Sequence, residues 1–307
     1  MSHERSILFV PGSDAEAVDA ARSSDADGLI LDLEDTVSPA NKAAAREVTL
    51  DALSTWSSDD PTPFVRVNGL DTTEGVADLE AVVGADAAPE AVFLPDVRGP
   101  TDVRIVADLE AVVGADAAPE AVFLPDVRGP TDVRIVADRL DDAGSDLGVV
   151  PIVERPDALF AVDAIAAADR TSALAFGSVD FRLNAGMSIL DDDVDVTIPK
   201  YLVSMAASAA GVRAFDTVYL DRSDPDGLRE AAREARAMGF DAKMAIHEDQ
   251  LDPIAESFAP SEAERDRAHR LVEQFEATDE GVVYFEGTFV DKPVVDQQRE
   301  LLERGGQ

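Results

Sequence analysis

Short apolar runs recur along this chain, near 5–11, 28–33, 64–69, 91–97, 121–127, 148–154, 172–178, 215–220 and 240–246. A short apolar run bounded by turn residues reads as a buried strand. Most of the intervening segments return apolar residues at helical spacing. One such helix follows the second run: Ser38 is placed to cap it, Pro39 sits in its first turn, and Val48, Leu50 and Leu53 mark its inner face. Another spans Asp226 to Met238 and is closed by Gly239. Strand alternating with helix predicts parallel strands joined by right-handed crossovers. The pattern changes after residue 254. Ser261-Glu262-Ala263-Glu264 is a capping box that opens a charged helix to about Ala277, Val282–Phe285 and Thr288–Val290 flank Glu286-Gly287 as a hairpin, and a last helix runs from about Val294. The chain therefore divides into a domain over 1–254 and an extension over 255–307, which is too small for its own core and is expected to pack on the barrel or on a neighbouring subunit.

Residues 76–108 reappear unchanged at 106–138, so that 76–105 and 106–135 are identical tandem copies of one strand–helix unit. Stacked repeats of old origin show similarity rather than identity, and a solenoid needs at least three of them. Nine apolar runs less one duplicate leave eight, the count of a TIM (β/α)8 barrel in the α/β class. A doubly wound sheet is the runner-up, but no Gly-x-Gly-x-x-Gly turn supports it. A ninth strand would change the stagger of the barrel, so one copy is expected to be displaced or the closure strained.

Charge changes the picture of where this fold works. The 307 residues carry 63 acids against 26 Lys+Arg, a formal net of −37, and the acids run through the whole chain. Such self-repulsion weakens a compact state in dilute buffer, whereas molar salt shortens the screening length to about 3 Å. The composition points to a cytoplasmic protein of a halophile. No basic patch is available for nucleic acid. There is no cysteine, which excludes thiol chemistry, and three histidines are too few and scattered for a zinc site. The early apolar run Ile7–Val10 is too short for a signal peptide or a membrane span.

The candidate chemistry lies where strands end in acids. Leu29-Ile30-Leu31 runs into Asp32, Glu34 and Asp35, the sixth run ends in Glu154, and Ala173–Phe176 leads through Gly177 to Asp180. A buried strand ending in an acid is costly unless the acid has a partner. Glu154 and Asp180, after some of the least polar stretches, suit Mg2+ with substrate oxygens and water. Arg66, between Val65 and Val67, alternates onto the opposite face from them and is aimed into the barrel, to fork onto a substrate carboxylate or onto Asp32 or Glu34. Asp96 and Asp126 are one position duplicated, of which at least one is scaffold. His247 reads more readily as a structural residue than as an acid or base.

The segments RSILFVPGS, DGLILDLEDTV with Lys42 and Arg46, VRVNG, PIVE, FGSVD and GFDAKMAIH together resemble the citrate lyase β subunit and the malyl-CoA lyases of the HpcH/HpaI aldolase superfamily. Removing one 30-residue copy leaves 277 residues, about the length of a compact member. The resemblance implies a TIM barrel that cleaves or forms a C–C bond in a 3-carboxy-3-hydroxyacyl thioester such as malyl-CoA, methylmalyl-CoA or a citryl thioester, with Mg2+ on Glu154 and Asp180. Arg66 would hold the carboxylate of the 2-oxo acid, and Glu34 and Asp35 would position water at the ion. Asp291, in Gly287–Pro293, would reach in from the next subunit of a homo-oligomer, a trimer or hexamer. Substrate would lie over the Pro11-Gly12 turn. The acids of Asp14-Ala15-Glu16 stand where relatives carry a basic residue, which moves the CoA phosphate contact to Arg5, Arg22 or Lys42. A malyl-CoA thioesterase and a barrel inactivated by its duplication are the alternatives.

Overall fold

The computed structural model describes residues 5–69, 72–83, 89–93, 121–142, 144–188, 193–278 and 281–304. Among them nine parallel strands follow one another in sequence order around a closed barrel: β1 (Ser6–Pro11), β2 (Gly28–Asp32), β3 (Thr62–Arg66), β4 (Ala91–Phe93), β5 (Ala121–Leu124), β6 (Gly148–Val153), β7 (Ala173–Phe176), β8 (Arg213–Asp216) and β9 (Ala242–Ala245), which returns to β1. The sequence predicts the barrel class correctly. The count of eight and the displaced copy are corrected: the strands of both copies sit in the wall.

The reason is local. β4 and β5 pair in register, Ala91 with Ala121 and Phe93 with Phe123, so the ninth strand brings inward residues of the same size at the same heights. Strand side chains alternate between faces, and Ile7, Ile30, Phe64, Phe93, Phe123, Val150 and Phe215 meet in the barrel interior. Phe93 and Phe123 stack with ring centroids 3.7 Å apart and planes within 9°, while Phe64 and Phe215 each lie 6.2 Å from Phe123. These rings fill the space that an added strand opens.

The same parity carries the polar rim. Asp32 stands two residues beyond Ile30, Arg66 two beyond Phe64, and Glu154 two beyond Ile152. Asp32 and Arg66 are register partners at the ends of β2 and β3. On the opposite face Asp216 is buried against the helix Thr197–Ala210, where Lys243 Nζ and Lys200 Nζ approach it to 2.6 and 3.1 Å. Burial alone would raise the Asp216 carboxyl, but the two ammonium groups hold it below the ordinary range. This ion group locks helix to sheet and lies outside the chemistry.

The helices begin much as the pattern predicts. Asp224 rather than Asp226 caps Pro225–Met238, and Gly239 ends it at φ +96°. Ser38 precedes a single 3-10 turn, Pro39–Asn41, and its side chain makes no cap bond; the helix proper is Lys42–Ser54. The chain forms two compact units, Met1–Ile254 and Ala255–Gln307. In the second, the predicted capping box is present on Glu262–Glu276. The strands β10 (Val282–Phe285) and β11 (Thr288–Asp291) pair antiparallel around Glu286 and Gly287, both at positive φ as a tight hairpin turn requires. Leu271, Phe285, Val290 and Val295 form a small core of its own, against the expectation that so short a segment would lack one. Among the described residues no helix is long and apolar enough to cross a membrane.

Candidate active site

In parallel barrels the loops after the strands form one rim, and here a cavity of about 750 Å3 opens there. Its floor is apolar, from Phe9, Phe93, Ile152 and Met244. Its wall carries Glu34, Asp35, Arg66, Asp126, Glu154 and Asp180. Six of the residues named from the sequence at strand ends therefore converge on one space.

Arg66 is the best-anchored of them. Its Nε and one terminal nitrogen donate to the two oxygens of Asp32, each at 2.7 Å. The other terminal nitrogen reaches Asp35 at 3.1 Å and Glu34 at 3.4 Å, and the guanidinium lies 5.2 Å from the centre of the Phe9 ring. Burial works against ionised Asp32, yet the Arg66 fork, the Thr36 hydroxyl and the Glu34 N–H outweigh it and hold its carboxyl below the ordinary range. Asp32 is thus the orienting partner of Arg66 and is itself fully buried. The sequence offers the signal for it, since Asp32 shares the inward parity of Ile30.

Glu154 has the opposite balance. Burial pushes its carboxyl up to about 7; the Asp126 N–H opposes this, while the negative charges of Asp180 and Asp126 add to it. The N–H of Asp126 donates to Oε1 at 2.6 Å, and a Cβ on Gly177 would lie 2.9 Å from Oε2. Asp180, in the first turn of the helix Ser178–Ala185, is raised as well, by burial and then by the charge of Asp35, with Arg66 opposing. The site holds an excess of negative charge beside one guanidinium, an arrangement that a cation or a proton relieves. Among the described residues no group of three or more His, Cys, Asp or Glu side chains is gathered to hold a metal.

Other predicted residues fall elsewhere. Pro11 lines the cavity and Gly12 does not; Gly12 is the close packing point of the turn, where a Cβ would meet Thr49 Oγ1 at 2.7 Å. Lys42 donates to the carbonyls of Leu33 and Glu34 at 2.8 and 2.6 Å, so it braces the loop bearing Glu34 and Asp35, and it does not line the cavity. Arg5 precedes β1 and therefore lies at the rim where strands begin, with its N–H on Asp27. Arg22 ends a helix that runs back to that same rim, held by Asp60 at 2.8 Å and stacked 4.7 Å over Trp56. Both are removed from the cavity because strand starts and strand ends are opposite poles of a parallel barrel. Arg46 is held by buried Asp78, which also accepts from Asn68. His247 Nδ1 accepts from the Asp249 N–H and caps a short turn. Asp96 lies outside the described residues. Asp291 closes β11 in the second unit and is half-buried.

The profile of the HpcH/HpaI aldolase/citrate lyase family matches residues 5–248. Citrate lyase subunit beta of Escherichia coli strain K12 is 34% identical over 308 aligned positions, which span 98% of this chain and 92% of that protein. A (3S)-malyl-CoA thioesterase of Cereibacter sphaeroides is 32% identical over 311 positions, 99% of this chain and 96% of that one. The crystal structure of the CitE protein of Mycobacterium tuberculosis in complex with magnesium, acetoacetate and coenzyme A superposes with a TM-score of 0.75 at 28% identity, covering 100% of this chain and 99% of that one.

Proposed function

The chain belongs to the HpcH/HpaI aldolase/citrate lyase family, and from that footing we propose that it is a Mg2+-dependent carbon–carbon lyase of 3-carboxy-3-hydroxyacyl thioesters. The observation that carries this is the pair Glu154 and Asp180, both raised by burial and by neighbouring negative charge on the wall of one cavity. The donor set fits the ion: Mg2+ keeps several waters and takes one or two carboxylates, so a site with few protein ligands and an open cavity suits it. Glu154 and Asp180 would hold it, and it would supply Lewis-acid stabilisation of negative charge on the substrate's oxygens.

The chain's own residues do the rest. Arg66, oriented by Asp32, exchanges its contacts with Asp35 and Glu34 for the carboxylate next to the substrate hydroxyl. The C2–C3 bond then breaks. The hydroxyl proton passes to water ordered by Glu34 and Asp35, C3 becomes the carbonyl of a 2-oxo acid, and the bonding electrons pass into the thioester as an enolate. Asp291 of a neighbouring copy is assigned, by likeness, as the acid that returns a proton to carbon. Glu34 and Asp35 order water at the cavity wall. With Lys42 committed to carbonyls, Arg128, on the cavity wall with a side chain 61% exposed, is the cation that meets the CoA phosphates. The Asp291 role calls for a homo-oligomer, and the sequence's charge suits a saline cytoplasm.

Hydrolysis of the same thioester is the second reading, favoured by the Cereibacter sphaeroides relative. Incubation with malyl-CoA and Mg2+ in molar salt separates the two. Release of glyoxylate and acetyl-CoA supports the lyase, free malate with free CoA supports the thioesterase, and no turnover of malyl-CoA, methylmalyl-CoA or citryl-CoA refutes both.

A further inference from the structure

The two copies of the duplicated unit have identical sequences and different neighbours. β5, from the second copy, is hydrogen-bonded to β6, pairing Leu124 with Pro151. β4, from the first, lies between β3 and β5. The segment after β5 therefore runs beside the end of the strand that leads to Glu154, whereas β4 is separated from that strand by β5. There Asp126 adopts φ +52°, the left-handed region that few side chains tolerate and that Asp and Asn enter more readily than most. In this conformation its N–H meets Glu154 Oε1 at 2.6 Å. Its own carboxylate turns away to Arg155, at 2.9 Å, and Arg155 also binds Asp157 at 3.1 Å.

We infer that Asp126 is a positioning residue for Glu154, acting through its main-chain N–H, and that this task belongs to the second copy alone. The left-handed backbone aims the peptide N–H, and that N–H sets the carboxylate of Glu154. The first copy contributes Phe93 to the cavity floor. This inference rests on the Mg2+ site proposed above and goes beyond it by naming what holds one of its ligands. Residues one step removed from a metal commonly change affinity by about 10–100-fold when replaced.

Four variants test it by calorimetric Mg2+ titration, with thermal unfolding to confirm folding. Asp126→Asn and Asp126→Gly keep both the N–H and access to positive φ, and bind Mg2+ within about threefold of the parent. Asp126→Val resists that conformation and binds at least about tenfold more weakly. Asp96→Val, the same change in the first copy, leaves affinity unaltered. Equal weakening in Asp126→Asn and Asp126→Gly would mean that the carboxylate itself is the operative group and overturns the inference, as does equal weakening in Asp96→Val or parental affinity in Asp126→Val. A crystal structure of metal-free Asp126→Val supplies a readout independent of the ion. A displaced Glu154 carboxylate supports the positioning role, and an undisturbed one refutes it. A parent protein that takes no Mg2+ sinks the metal site by itself, and the Glu154 displacement then decides the positioning role separately.

Discussion

Glu154 makes the site sensitive to pH with a definite sign. Its carboxyl stands near 7 in the metal-free fold, against 4.5 for an ordinary glutamate. Between those values the folded chain holds a proton that the unfolded chain has released, so folding stability falls as pH rises from about 4.5 to about 7 and levels off beyond. At about 1.4 kcal/mol per unit the loss reaches a few kcal/mol. Glu154→Gln removes that slope: in metal-free buffer at pH 8 it unfolds at a higher temperature than the parent, and at pH 5 the two converge, a comparison for scanning calorimetry. Magnesium competes with the same proton, so its affinity in the parent weakens below pH 7, and the variant loses measurable binding. Arg66 poses the other question. Lysine keeps the charge but cannot fork onto Asp32. Arg66→Lys therefore leaves a fully buried carboxylate half-satisfied, with a stability loss of about 1–3 kcal/mol in urea unfolding and a fall in kcat/KM of at least about tenfold, since an orienting contact to substrate is lost too.

At the scale of elements, much of the site was legible because strand parity and strand ends are properties of sequence. Asp32, Arg66 and Glu154 fall on the inward parity of Ile30, Phe64 and Ile152, and the parallel topology brings their ends together. What escaped depends on partners in space. Lys42 and Arg5 advertise positive charge, yet the sequence does not say that one will brace carbonyls of the β2 loop and the other will sit at the far rim. Nor does it say that the peptide of Asp126 rather than its carboxylate meets Glu154, since aspartate is equally at home in ordinary backbone. Gly177 is a case where the element sets the chemistry. It links β7 to the helix that carries Asp180, and its missing side chain leaves space for Glu154 Oε2. Gly177→Ala puts a methyl group 2.9 Å from that oxygen, which forces the carboxylate aside. The expected result is a loss of Mg2+ affinity of about tenfold by titration, with β7 still paired and the far-UV circular dichroism unchanged.

The whole molecule is governed by charge and by closure. A net of −37 on 307 residues remains whatever ion pairs form, because each pair joins one charge of either sign. Raising KCl from 0.1 to 1 M shortens the screening length from about 10 Å to about 3 Å. The unfolding temperature is expected to climb with KCl over that range, and a midpoint that is flat or falling would show that self-repulsion is not what limits this fold. Closure is the less legible property. Identity between two segments is visible in the sequence, but whether a barrel admits both depends on interior volume, which the stacked Phe93 and Phe123 decide.

The register match of β4 with β5 has a kinetic consequence. A refolding chain offers β3 two indistinguishable partners, and β6 likewise. Either segment can bridge the two alone, with its twin looped out, before the full wall assembles. Refolding should therefore divide into parallel routes, one detained by a shortened circuit that must reopen. Excising either twin yields the same 277-residue polypeptide, for which that ambiguity vanishes and a single refolding phase is expected in stopped-flow fluorescence of Trp56.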